Sequence, residues 1–239
     1  MDTLIRSAQK EVLAVFAEKA GGFALAGGTA LELFYLHHRF SSDLDFFSPR
    51  YSLSEIERLV GAFRKSCRRA LSLESELEAA GKARVRFYTL PVKGAGRPLK
   101  IDFVEDLLFK KPTIRTRKGI RVYSAENIYL QKIAAISGTR SVLDETGREV
   151  MEGGRHEARD AFDLYLLSQK IQPLHRFLQR APAPWQKGIV HWYRTFSRQE
   201  LRIALMDLDI YDPSFDSREM IRYLENEIKQ FTQAVIEAS

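Results

Sequence analysis

Three carboxylates and a glycine pair carry the chemistry that can be read from this chain. Gly27, Gly28 and Thr29 open the stretch GGTALELFYLHHRFSSDLDFF, residues 27–47, and thirteen residues separate Thr29 from Asp43 and the D-x-D triplet that Asp43 forms with Asp45. Glycines with no Cβ let a phosphate approach the backbone, and the free N–H groups of a following helix turn favour its charge. Two aspartates two apart on a strand face one side, where they can share a divalent cation. Asp102 in LKIDFVED sits mid-strand between Ile101 and Phe103, and a sheet that sets its strand beside D-L-D adds a third carboxylate. Three converging carboxylates can hold two Mg2+ (or Mn2+) ions, as in-line attack on a nucleoside triphosphate requires: one ion acidifies the attacking hydroxyl and the other neutralises the departing pyrophosphate. Asp102 is then the expected general base. D-x-D alone is short and common, and equally an edge-strand pair; its distance from the glycines makes the combination specific. No G-x-x-x-x-G-K is present, which argues against a P-loop NTPase.

Other residues have both a functional and a bland reading. Thr29 can cap the helix with its hydroxyl or meet a triphosphate. Lys132, one turn after Ile128 on an apolar helix, is a snorkelling lysine or a phosphate ligand. Asp160 and Asp163 lie three apart on one helix face, where first-turn acids serve the helix dipole without any further role. Arg39, with Ser41 or Ser42, is placed to contact a phosphate. Metal ligation by His37 and His38 is disfavoured, since no third His or Cys is spaced to complete a site. Trp185, Trp192, Tyr193 and Phe196 form a helical apolar stripe that reads as core.

The elements that position these residues follow from periodicity. Helices are expected at 3–20, from Thr29 to His38, and from a Ser52 or Ser54 capping box to about Arg69. Short strands are expected at 23–27, through the D-x-D, at 83–90 and 99–104 as a hairpin, and at 114–123 as one strand bent at Gly119. After Ser124 no strand is expected. Helical periods occupy 125–137, 157–169, 173–180, 185–206 and 217–236, and the glycine-containing stretch 138–158 reads as a long mobile loop. The fold class is therefore α+β: a mixed β-sheet flanked by helices (residues 1–120), followed by a helical C-terminal region (121–239) that closes a cleft.

Composition sets outer bounds. The chain has 239 residues, 45% hydrophobic, and a formal charge of +6, which favours an anionic partner such as nucleic acid. Basic residues gather at 64–69, 110–121 and 176–202, away from the carboxylates. No apolar run reaches the ~20 residues of a membrane span and no signal-peptide core opens the chain, so a cytoplasmic protein is expected. The single cysteine, Cys67, excludes an internal disulfide and reads as part of a helix surface.

GGTALELFYLHHRFSSDLDFF, LKIDF, the helix around Lys132 and RDAFDLYLL, in this order, resemble the four motifs of the AbiEii/AbiGii-type nucleotidyltransferases, toxins of bacterial toxin–antitoxin and phage-defence systems in the DNA polymerase β-like superfamily. The resemblance covers most of residues 20–170. It implies that Gly27, Gly28 and Thr29 hold the triphosphate and that Asp43, Asp45 and Asp102 hold metal. It also implies that Lys132 and Asp163, with Asp160 as the close alternative, act on the nucleotide. Thr29 stands where serine is common, and the loop between Lys132 and Asp160 is longer than usual. The implied reaction is transfer of NMP from an NTP to RNA, tRNA foremost, under control of a cognate antitoxin. Two other classes compete: a D-x-D glycosyltransferase, which should bind a nucleotide-sugar, and a non-catalytic RNA- or nucleotide-binding regulator.

Overall fold

The structure, a computed structural model, describes residues 2–237 except 139, 144, 146, 148, 153 and 156. It divides into two compact units: residues 1–35 with 40–127, and residues 36–39 with 128–239.

The first unit is built on a seven-stranded mixed sheet. Its strands are β1 (Ala24–Ala26), β2 (Leu44–Ser48), β3 (Ser72–Leu77), β4 (Val85–Leu90), β5 (Leu99–Glu105), β6 (Ile114–Arg117) and β7 (Ile120–Tyr123), in the order β3-β4-β5-β2-β1-β7-β6. Helix α1 (Thr3–Lys19) is capped by Asp2, whose carboxylate accepts from the Leu4 and Ile5 amides. Ser52 caps α3 (Leu53–Cys67) by accepting from the Glu55 amide. The core lies between α1, α3 and the sheet. Phe16 stacks on Phe46 at 4.0 Å, and Phe103 meets Phe23 at 5.3 Å and Phe46 at 5.5 Å.

Local structure departs from expectation at four places here. The helix from Thr29 is five α-helical residues, α2 (Gly27–Leu31), followed by a π-helical turn over Glu32–Leu36. Residues 114–123 form a hairpin rather than one bent strand, because Lys118 and Gly119 both adopt positive φ (50° and 80°) and make a two-residue turn. Strand β3 was not expected, since all six of its residues are exposed and no alternation marks it. Cys67 is buried rather than on a helix surface, and burial pushes its thiol pKa up.

The second unit is mainly helical: α4 (Ala125–Ser137, from Ile128 onward), α5 (Ala158–Lys170), α6 (Leu174–Leu178), α7 (Ala183–Thr195), α8 (Arg198–Met206) and α9 (Ser217–Glu237). Two corrections apply. The expected helix 185–206 is two helices, because Phe196 is extended and Ser197 starts α8 by accepting from the Glu200 amide. The expected loop 138–158 contains an antiparallel pair, β8 (Arg140–Leu143) and β9 (Glu149–Glu152); the rest of that expectation falls partly outside the described residues. Trp192, Tyr193 and Phe196 are buried, with Trp192 stacked on Phe196 at 4.7 Å. Among the described residues no helix is long and apolar enough to cross a membrane.

Candidate active site

Strand register brings the acidic residues of the first unit together. β2 and β5 run parallel with Asp45 opposite Asp102, and β1 runs antiparallel to β2 with Ala26 opposite Asp45. Directly paired residues face the same side, so the Asp45 and Asp102 carboxylates sit side by side on strands about 4.8 Å apart. Leu44, Phe46, Ile101 and Phe103 point into the core from the other face and are fully buried, while Asp45 and Asp102 keep partial exposure. Asp43 lies one residue before β2, in step with Asp45.

The glycine turn fits around this pair. Gly27 has φ +67°, and a Cβ there would run into the Asp45 carboxylate, with Cγ at 2.9 Å. Only glycine satisfies both the dihedral and the space. Gly28 and Thr29 are buried. Thr29 does not cap the helix; the N-cap is Ala26. Its hydroxyl instead donates to the Asp43 carbonyl and lies 3.4 Å from the Ser41 carbonyl. Ser42 Oγ donates to Asp43 Oδ1 at 3.1 Å.

The carboxylates are the hard oxygen donors that Mg2+ or Mn2+ takes. In the conformation seen, no group of three or more His, Cys, Asp or Glu side chains closes into a metal cage among the described residues. Mg2+ is commonly held by one or two carboxylates plus phosphate oxygens rather than by an all-protein cage.

The second unit contains a buried charge cluster built on α4, α5 and residues 36–39. Lys132 Nζ lies 2.6 Å from Asp160 Oδ1 and 2.7 Å from Asp163 Oδ2. Arg39 grips Asp163 with Nε and Nη2, each at 2.8 Å, and His38 Nε2 lies 2.8 Å from Asp163 Oδ1. Arg155 reaches Asp160 at 2.5 Å. Asp160 and Asp163 are completely buried. Burial alone would raise the Asp163 pKa, but the Arg39 and Lys132 charges and the His38 hydrogen bond outweigh it and hold the carboxyl well below the usual range. The same competition, with Lys132 and Arg155, lowers Asp160. His38 goes the other way: burial depresses its pKa more than Asp163 raises it, so the ring is neutral near pH 7. Its Nε2 then donates to Asp163, while Nδ1 is buried with no hydrogen-bond partner among the described residues.

Among the residues singled out from sequence, Arg39, Lys132, Asp160 and Asp163 thus meet in one cluster, and Gly27, Thr29, Ser42, Asp43, Asp45 and Asp102 meet around the β1–β2–β5 strand ends. Arg39 is bonded to Asp163, and its burial sets it apart from a surface phosphate ligand. His38 and Arg155 were not anticipated as partners of the aspartates. The adjacency of His38 to Arg39 was the one available signal. A cavity of about 810 Å³ is lined by residues of α7 and α9 including Val190, Arg194 and Ile228, and by none of these site residues.

The sequence matches, over residues 11–235, the family described as nucleotidyl transferase AbiEii toxin, type IV TA system. Among solved structures, a candidate nucleotidyltransferase from H. pylori is similar at TM-score 0.60 and 19% identity, covering 98% of this chain and 96% of its own. JHP933 from Helicobacter pylori is similar at TM-score 0.57 and 18% identity, covering 100% and 97%. No curated protein matches the chain.

Proposed function

We propose that this chain, which belongs to the nucleotidyl transferase AbiEii toxin family of type IV toxin–antitoxin systems, moves NMP from an NTP to an RNA acceptor, with Asp43, Asp45 and Asp102 holding the divalent ion. Its class of activity, nucleotidyl transfer, follows from that membership, which also removes the D-x-D glycosyltransferase reading. The observation that carries the finer reading is the pairing of Asp45 with Asp102 on adjacent parallel strands, with Asp43 in step.

In the proposed reaction an acceptor hydroxyl attacks the α-phosphorus of the NTP. A new P–O bond forms, the bond to the β-phosphate oxygen breaks, and pyrophosphate leaves with its electron pair. Asp102 accepts the hydroxyl proton. Mg2+ or Mn2+ bound at the carboxylates supplies charge neutralisation for the triphosphate and acidifies the hydroxyl. Gly27 and Gly28 are the residues assigned to the triphosphate, and Thr29 serves by fixing Asp43 rather than by donating to the nucleotide. In the second unit Lys132 is the group assigned to the phosphates, with Asp160 and Asp163 fixing its ammonium. The chain's surplus of 37 Lys and Arg over 31 Asp and Glu favours an RNA acceptor, whose phosphates it would engage in a salt-dependent way. A cognate antitoxin is the expected protein partner.

Incubation with total RNA and each α-labelled NTP in turn, with and without Mg2+, tests this. Metal-dependent label in an RNA species, lost in Asp43→Ala, is expected. Label on protein instead of RNA would overturn the acceptor, and no label with any NTP would overturn the transfer.

A further inference from the structure

We infer that Arg6, Gln9 and Glu32 are positioning residues for Asp43, acting through the backbone of residues 41–43; this rests on the metal-holding role proposed for Asp43. Asp45 and Asp102 lie inside the sheet, where ladder pairing fixes them, whereas Asp43 stands one residue before β2 and its backbone is held from outside the ladder as well.

The structure provides that hold from α1 and from the π-helical turn. Glu32 Oε2 accepts the Ser41 amide at 2.9 Å, and Gln9 Nε2 donates to the Ser41 carbonyl at 2.9 Å. Both backbone groups of Ser41 are thereby tied. Thr29 takes the Asp43 carbonyl. Arg6 Nη2 donates to Glu32 Oε1, fixing the carboxylate that holds Ser41, and its guanidinium lies over the Phe40 ring at 4.8 Å. Arg6, Gln9, Thr29, Glu32 and Ser41 are all buried.

The bland alternative is that these side chains merely satisfy a buried loop, as buried backbone groups must be satisfied somewhere. One feature exceeds that need: side chains from two separate elements, α1 and the π-helical turn, converge on both backbone groups of Ser41, immediately ahead of Asp43. A displacement of about 1 Å at a reacting group can cost on the order of 100-fold in rate, so a fixed Asp43 has a chemical use. Arg6 and Gln9 also precede residue 11, where the family match begins.

The test uses full-length Gln9→Met, Arg6→Met and the milder Glu32→Gln, with Arg6→Lys as the conservative rescue and Asp43→Ala as the reference. Amide exchange is followed without metal, Mn2+ affinity by titration, and NMP transfer as a function of Mn2+ concentration. Expected are at least 10-fold faster exchange at Ser41, about 10-fold weaker Mn2+ binding, transfer recovered at high Mn2+, and near wild-type behaviour for Arg6→Lys. Faster exchange with unchanged Mn2+ affinity would reduce the network to a structural one and overturn the inference. If Gln9→Met or Arg6→Met fails to fold, Glu32→Gln decides by the same readouts. Should Asp43→Ala itself leave Mn2+ binding intact, the metal-holding role falls, and the positioning inference with it; loss in Asp43→Ala but not in the other variants leaves that role standing and removes only the inference.

Discussion

The carboxylate of Asp45 lies against the backbone of Gly27, in the space that a side chain at residue 27 would need. The glycine turn and the acidic strand are thus one fitted object, and the fit can be broken by a single methyl group. Gly27→Ala adds a Cβ at φ +67°, which costs about 1–2 kcal/mol in dihedral strain, and drives it into Asp45. We expect NMP transfer to fall at least 100-fold and the melting temperature to fall by several degrees. Retention of full activity would show that Asp45 is free to move without consequence.

The charge cluster around Asp163 gives the second unit a defined acid response. The pKa of His38 is lowered in the fold, so between its unfolded value of about 6.5 and its folded value the unfolded chain binds a proton that the fold refuses, and stability drops as pH falls. Asp160 and Asp163 are lowered too, but for a carboxylate this means stability present above about 3.9 and lost as pH falls through the folded values. Denaturant melts at stepped pH should show a first decline beginning near pH 6.5 and a second below about pH 4. His38→Gln should remove the first and leave the second; an unchanged first decline would assign it elsewhere.

At the β6–β7 turn Lys118 occupies a left-handed conformation, φ 50°, beside Gly119 at φ 80°. A two-residue turn with both residues at positive φ favours Asn-Gly. Lys118→Asn should therefore stabilise by roughly 0.5 kcal/mol, seen as a rise of one or two degrees in melting temperature. A lower melting temperature would indicate that the lysine makes a contact that matters more than its dihedral.

Cys67 is buried at the end of α3, with its thiol pKa raised by burial and further by Glu11. The thiolate is the reactive form, so the native thiol should react with a disulfide reagent at pH 8 at least 10-fold more slowly than in denaturant. Equal rates would place Cys67 at the surface after all.

These residues also show where sequence reasoning reached its limit. Asp45 and Asp102 stood out because apolar neighbours on both sides mark each as a polar interruption of a strand, Asp43 because it completes the D-x-D triplet, and Ser52 because a capping serine is followed three residues later by Glu55. Their pairing in register was not legible, since register depends on partner strands far apart in sequence. Strand β3 escaped notice because an exposed edge has no buried face to enforce alternation. The break at Phe196 and Ser197 was hidden by apolar spacing that continues in phase across it. The use of Thr29 on the Asp43 carbonyl, and the grip of Arg39 on Asp163, were illegible for a shared reason: hydroxyl and guanidinium donors that suit a phosphate suit a carbonyl or a carboxylate equally well, and only the fold decides which is within reach.

The pairing of Asp45 with Asp102 is tested most directly by Asp102→Asn, which keeps the strand and the shape while removing the charge and the proton acceptor. Single-turnover transfer of labelled NMP to RNA should fall at least 1000-fold, while the melting temperature stays within a few degrees of wild type and NTP still raises it. Transfer at the wild-type rate in a folded Asp102→Asn protein would contradict a reaction run by the three carboxylates.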